Sequence, residues 1–322
     1  MSISCTLESV VDRVIVMRQQ EMTSYALKMY LPSESTASLN VSWREKICHW
    51  SYNVVDHFDL SREVVAISLS LFDRFLATRN NECNGNLALL TSLTTLHLAI
   101  KLHDTKKIRI STLANLSRGQ FGATDIEQME WCILQALQWK VHPPTAYSFV
   151  YQILLFLPQE ASAAVRKEIF ELSRYLTELT VCDSFFVDAN QSWIAFAAIL
   201  NVLEDLPYTR LSAGIRERFL RDLRDLVSLN YRSTEVIAAR QRITAMFSSD
   251  SMLETKLELV DGQSSVGSVE SLGRSYRRAR ANSGDSKGSV PRCSPSSRRR
   301  VAVASPSTAH RRMQSSPIVG RV

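Results

Sequence analysis

The most constraining feature of this chain is a stretch of apolar runs, residues 43–104, interrupted by a few single charges. Trp43, Ile47, Trp50, Val54 and Phe58 recur at steps of 4, 3, 4 and 4, the period of one face of an amphipathic helix. A second apolar run, 64–76, carries Asp73 and Arg74, and a third, 87–102, carries Lys101 near its end. A charge inside so apolar a helix needs a partner. The stretch therefore predicts a compact helical unit with paired ionic groups in its core or at its rim.

The same periodicity extends over most of the chain. A helix is expected over 7–30, and a loop over 31–38 precedes the stretch above. Asp59 and Ser61 are candidate caps for the second run, and Asn84-Gly85-Asn86 supplies the break before the third. A short helix over 111–116 and a longer one from Thr124 or Asp125 to about Trp139 follow. In the longer one Met129, Trp131, Ile133, Leu134 and Leu137 form a wide apolar face. His142-Pro143-Pro144-Thr145 breaks the helical pattern, and Thr145 can cap what comes next. Five more helical segments lie over 146–158, 163–186, 190–206, 216–229 and 234–247. The expectation is an all-α chain: an N-terminal helix and loop (1–38), two tandem five-helix domains (39–141 and 142–250), and a disordered basic tail (251–322). Residues 262–322 hold 15 Ser, 4 Pro, 6 Gly and a single aromatic, too little apolar surface to offset the entropy of ordering.

Charge must be read by segment. The chain carries +6, but 262–322 holds 12 Lys or Arg against 2 Asp or Glu, which leaves 26 against 30 before it. A net acidic helical body argues against nucleic acid as a direct ligand. No run of 18 apolar residues exists, so no membrane span is expected. The N-terminus carries Glu8 and Asp12 and no basic leader, unlike a secretory signal. Six scattered cysteines without CxxC spacing read as reduced, mostly structural thiols.

No catalytic residue, metal site or cofactor site is expected. The histidines lack HExxH or zinc spacing, and no GxGxxG, GxxxxGK[ST] or GxSxG occurs. Arg44 and Asp73 read either as a buried ion pair joining two helices or as two separate solvated charges. Lys101 and Glu130 admit three readings: an acid/base pair, a surface pair used in recognition, or a helix-end cation favoured by the helix dipole. In the tail, Arg277, Arg278 and Arg280 form one basic cluster and Arg298, Arg299 and Arg300 another, candidates for a nuclear-import signal. Ser294, Ser305 and Ser316 each precede proline and are candidate phosphosites; phosphate on Ser294 would mask the second cluster.

Four motifs then converge. W-R-E-K-I-C-H-W (43–50), L-F-D-R-F-L (71–76), L-A-I-K-L-H-D (98–104) and M-E-W-C-I-L-Q-A-L-Q-W-K-V-H-P-P-T (129–145) resemble, in order and spacing, the motifs of the cyclin box. S-W-I-A-F-A-A-I-L (192–200) resembles a segment of the second cyclin repeat. The resemblance implies that Arg44 and Asp73 are the family's structural pair. It also implies that Lys101 and Glu130 contact the catalytic subunit of a cyclin-dependent kinase and hold its αC helix in the active position. The implied role is a non-enzymatic regulatory subunit in cell-cycle control, nuclear or shuttling with the cytoplasm, with kinase substrates or inhibitors as further partners. A peptide-docking surface would fall on Trp43, Lys46, Ile47 and Trp50, where Trp43 and Lys46 depart from the family's usual apolar residues. His103-Asp104 replaces the common Glu-Glu, and the subtype stays open, D-like or unclassified. A transcriptional cyclin, a TFIIB-like general transcription factor and a helical scaffold without a kinase are the alternatives.

Overall fold

The computed structural model describes residues 6–27, 30, 41–79 and 84–260, with side chains described as far as Phe247. Among these residues the regular structure is entirely helical: α1 (Leu7–Met22), α2 (Val41–His57), α3 (Glu63–Ala77), α4 (Gly85–His103), α5 (Ile110–Leu116), α6 (Ala123–Ala136), α7 (Ala146–Leu154), α8 (Ala163–Cys182), α9 (Gln191–Asp205), α10 (Ala213–Val227) and α11 (Thr234–Val260). A 3-10 turn, Ser184–Phe186, follows α8.

Helices α2, α3, α4 and α6 surround one apolar core, in which α3 and α4 supply Leu71, Phe72, Phe75, Leu96, Leu98 and Ile100, all essentially inaccessible. Helices α7 to α11 surround a second core built on α9, whose residues from Ile194 to Leu200 are all buried. A helix buried on every side must be apolar on every side, and W-I-A-F-A-A-I-L meets that condition. The first helix of the chain joins the second core: Val10 and Val14 are buried there. Glu21 then accepts from the Ser192 backbone N–H at 2.9 Å and from the Ser192 hydroxyl, covering the N-terminus of α9. Burial raises the Glu21 carboxyl above its ordinary range, against the pull of the Ser192 hydrogen bonds and Arg18.

Several helix ends differ from the sequence expectation. The first helix stops at Met22 instead of running to 30: the Thr23 N–H is shared between the Gln19 and Gln20 carbonyls, and the Tyr25 N–H turns back to the Gln20 carbonyl at 3.0 Å, which closes the last turn. Neither Asp59 nor Ser61 caps α3. Asp59 takes a left-handed conformation (φ 51°), and the Ser61 N–H goes instead to Asp104 Oδ2 at 2.8 Å. Helix α6 starts one residue before Thr124. Gly122 occupies the cap position, and Asp125 reaches back to its N–H at 2.8 Å. Helix α8 ends at Cys182, where Asp183 accepts from Phe185 N–H (2.9 Å) and starts the 3-10 turn. Helix α11 continues to Val260, past the 247 end suggested by periodicity. Leu, Met, Glu and Lys, all strong helix formers, dominate that extension. Thr145 caps α7 as expected, accepting from Ser148 N–H at 3.0 Å.

Candidate protein-recognition surface

The outer face of the first helical unit is formed where the end of α4 meets α6. Lys101 lies in the last turn of α4, where a cation complements the helix dipole. Glu130 projects from the middle of α6, and the two side chains form an ion pair. Lys101 remains 43% exposed, whereas Glu130 is only 16% exposed. The carboxylate is therefore held from below and the ammonium faces outward. The second Glu130 oxygen lies 3.7 Å from His97 Nδ1. Burial holds the His97 imidazole below its ordinary pKa, and nearby Glu130 opposes that shift.

Two tryptophans, one on α6 and one just after it, are also exposed. Trp131 and Trp139 are 58% and 57% exposed and meet edge to face, with centroids 6.1 Å apart. Trp131 thus leaves the apolar face to which the sequence pattern assigned it. Ile126, Ile133 and Leu134 are the buried side of α6, and Trp131 sits two residues, about 200° of helix, from Ile133. Gln138 and Trp139 both take left-handed conformations (φ 52° and 60°), turning the chain so that the second indole faces out. Helical-wheel arithmetic on Ile126, Ile133 and Leu137 carried the signal for Trp131, but no local signal places Trp139.

Arg44 and Asp73 are brought together deep in the molecule. Arg44 Nε donates to Asp73 Oδ1 at 3.0 Å and Nη2 to Oδ2 at 2.9 Å, with about 5% of either side chain exposed. Tyr30 adds a hydroxyl donor to Asp73 Oδ1 at 2.9 Å. Arg44 Nη1 donates to the Val181 carbonyl at 2.9 Å, so the same guanidinium also ties α2 to the end of α8.

On the expected peptide-docking surface, Trp43 and Trp50 are half-buried and Lys46 is exposed. Ile47, one turn on from Trp43 on the same face of α2, is 5% exposed and packed in the first core, so its side chain is covered by this chain itself. The tail residues Ser294, Ser305 and Ser316 and the clusters Arg277, Arg278, Arg280 and Arg298, Arg299, Arg300 lie outside the described residues. Among the described residues no group of three or more His, Cys, Asp or Glu gathers as metal ligands, and no helix is long and apolar enough to cross a membrane.

Comparison with known proteins gives these features a context. The model of the cyclin N-terminal domain matches residues 12–142, and that of the cyclin C-terminal domain matches 144–217. Cyclin-D3-3 of Arabidopsis thaliana is 28% identical over 177 residues, covering 51% of this chain and 45% of that protein. G2/mitotic-specific cyclin-2 of Medicago sativa is 29% identical over 161 residues, covering 50% and 47%. The matched region spans about half the length of these curated relatives. The X-ray structure of a viral cyclin from herpesvirus saimiri superposes with a TM-score of 0.53 at 18% identity, over 74% of this chain and 98% of that one, a likeness of fold.

Proposed function

The chain belongs to the cyclin family, and on that premise we propose that it is a regulatory subunit that binds and activates a cyclin-dependent Ser/Thr kinase. The observation that carries this reading is the Lys101–Glu130 pair, contributed by two helices of one packed unit, with the exposed Trp131 next to Glu130 in the chain on α6. An ammonium has three N–H donors, and Glu130 engages Lys101 from one side, leaving donor capacity for acceptors on a partner. Exposed tryptophans and a fixed charge pair are residue types enriched at interface centres. Activation needs no chemistry from this chain. A rigid surface that binds the kinase's active conformation more tightly than its inactive one shifts the population toward activity.

Within this proposal the kinase serves cell-cycle control, and the chain works in the nucleus. The basic clusters at 277–280 and 298–300 support import, and Ser294, Ser305 and Ser316 support its regulation by phosphorylation. Affinity purification of the intact chain, followed by a kinase assay, tests the main reading. Wild type should bring down an active kinase, and Lys101→Ala/Glu130→Ala should lose most of it. Equal recovery by both would remove this surface from the mechanism. Removing residues 262–322 should reduce nuclear accumulation while kinase recovery is kept; unchanged imaging would refute the import role.

A further inference from the structure

Cys48 on α2 and Cys182, the last residue of α8, lie 134 positions apart in the chain, yet their Sγ atoms are 2.6 Å apart. Three contacts hold these helices in register. Arg44 reaches the Val181 carbonyl, Tyr52 donates its hydroxyl to the Glu178 carbonyl at 3.1 Å, and Arg62, beyond the end of α2, holds the Glu178 carboxylate at 2.9 Å. Positions 44, 48 and 52 are one stripe of α2, and 178 and 182 are one stripe of α8. The two stripes run antiparallel, with the sulfurs between the Arg44 and Tyr52 contacts. Cys48 is fully buried and Cys182 is partly accessible.

We infer that Cys48 and Cys182 are a disulfide-forming site, oxidised by peroxide, that covalently joins the two helical units. The accessible sulfur reacts first. Cys182 thiolate attacks one peroxide oxygen, forming S–O and breaking O–O, and the released hydroxide takes a proton to give water. That sulfur is now a sulfenic acid, oxidised by two electrons. Cys48 then attacks Cys182 Sγ; S–S forms, S–O breaks, and the departing hydroxide leaves as water with the Cys48 proton. Two thiols and one hydrogen peroxide become one disulfide and two waters. Burial pushes the Cys48 thiol well above its ordinary range, which disfavours its direct reaction with peroxide; its place 2.6 Å from Cys182 Sγ is what suits it to the second role, since a sulfur already in place replaces diffusion. A thiolate metal site is the poorer reading, since no third ligand gathers there among the described residues.

Hydrogen peroxide is titrated onto the full chain to the dose that oxidises exposed Cys132, and the alkylated, unreduced protein is digested for peptide mass analysis. The expected product is a peptide linking Cys48 to Cys182, short by two hydrogens and released by dithiothreitol. The melting temperature of the oxidised chain should rise by roughly 5 °C or more and return on reduction. Cys182→Ser should abolish both effects and Cys132→Ser neither. Recovery of Cys48 as free thiol at that dose, or of Cys182 as sulfinic acid or joined to another cysteine, would overturn the assignment. Because the linked peptide is read on the wild-type chain, instability of a variant cannot mask the result.

Discussion

Arg44 and Asp73 are joined by two side-by-side hydrogen bonds from one guanidinium to one carboxylate, out of contact with water, while the third nitrogen of Arg44 grips the other helical unit. The pair therefore fixes α2 against α3 and helps to fix the first unit against the second. Burial alone would loosen the Arg44 proton, but the Asp73 carboxylate outweighs it, and the guanidinium is held charged more firmly than in water.

Removing one partner leaves a buried charge without its counter-ion, and Asp73→Ala should cost about 3–5 kcal/mol. For a chain of this size that is a fall of about 10 °C in melting temperature. Replacing both residues, as Arg44→Met/Asp73→Leu, removes the desolvated charges together and should lose markedly less. Differential scanning calorimetry compares the two; a double variant as unstable as the single one would show that the pair itself, not its broken half, carries the stability.

Thr145 is the second tie between the units. Its hydroxyl accepts the Ser148 N–H at the start of α7 and donates to Glu63 Oε1 at 2.5 Å, across to the first turn of α3. Thr145→Val keeps the shape, loses the cap and leaves a mostly buried carboxylate without its donor, a cost of about 2–4 kcal/mol. Burial raises the Glu63 carboxyl, and the Thr145 hydrogen bond opposes the rise. A carboxyl raised in the fold loses stability as pH climbs from its unfolded value of about 4.3 through its folded value. Without Thr145 that loss deepens, so the gap between variant and wild type in urea melts should widen from acid to neutral pH. A constant gap would mean that Glu63 gains nothing from the hydroxyl.

Surface and seam can be separated by the exposed indoles. Trp131→Ala and Trp139→Ala remove side chains that are more than half exposed, so each melting temperature should stay within about 2 °C of wild type. Binding of the proposed kinase should weaken by about 30-fold or more for at least one of them, as expected for an aromatic hot spot. Surface plasmon resonance on the purified pair reads the effect. Unchanged dissociation constants for both would place the kinase on another face.

How much of this was legible in the sequence follows from the range of each interaction. The helices, the proline break and the Thr145 cap are written within a few residues, and periodicity and turn chemistry reveal them. Arg44 and Asp73 stood out because charges are conspicuous in apolar runs, although pairing itself required the fold. The meeting of Cys48 with Cys182, and of Glu21 with Ser192, crosses more than a hundred residues and leaves no periodic trace. Trp131 adds to the apolar composition of α6 but lies off the stripe of Ile126 and Ile133, so composition alone puts it in the core and only its angle on the helix puts it outside. The end of α1 at Met22 is hidden for a similar reason, since apolar Tyr25, Leu27 and Met29 continue the letter pattern beyond the Thr23 cap.

Two histidines make stability depend on pH near neutrality. His97 faces the Glu130 carboxylate, the Lys101 ammonium and the Ile108 carbonyl; His103 faces the Val141 carbonyl, His142 and Lys107. Burial lowers both imidazoles below the ordinary value of about 6.5. The unfolded chain therefore takes up these protons first as pH falls, and ∂ΔG/∂pH is positive across the window. The stability they contribute is complete above about 6.5 and is lost as pH drops toward their folded values. The melting temperature of wild type should decline between about pH 7 and pH 5.5, and His97→Gln/His103→Gln should decline less, the remaining slope coming from other groups. NMR titration of the two rings should give midpoints below about 6.5; midpoints at or above it, or parallel melting curves for variant and wild type, would contradict the argument. The same titration reaches the proposed recognition surface, because a protonated His97 beside Glu130 competes with Lys101 for one carboxylate. Kinase binding should then weaken in step with the His97 midpoint, and His97→Gln should remove that dependence.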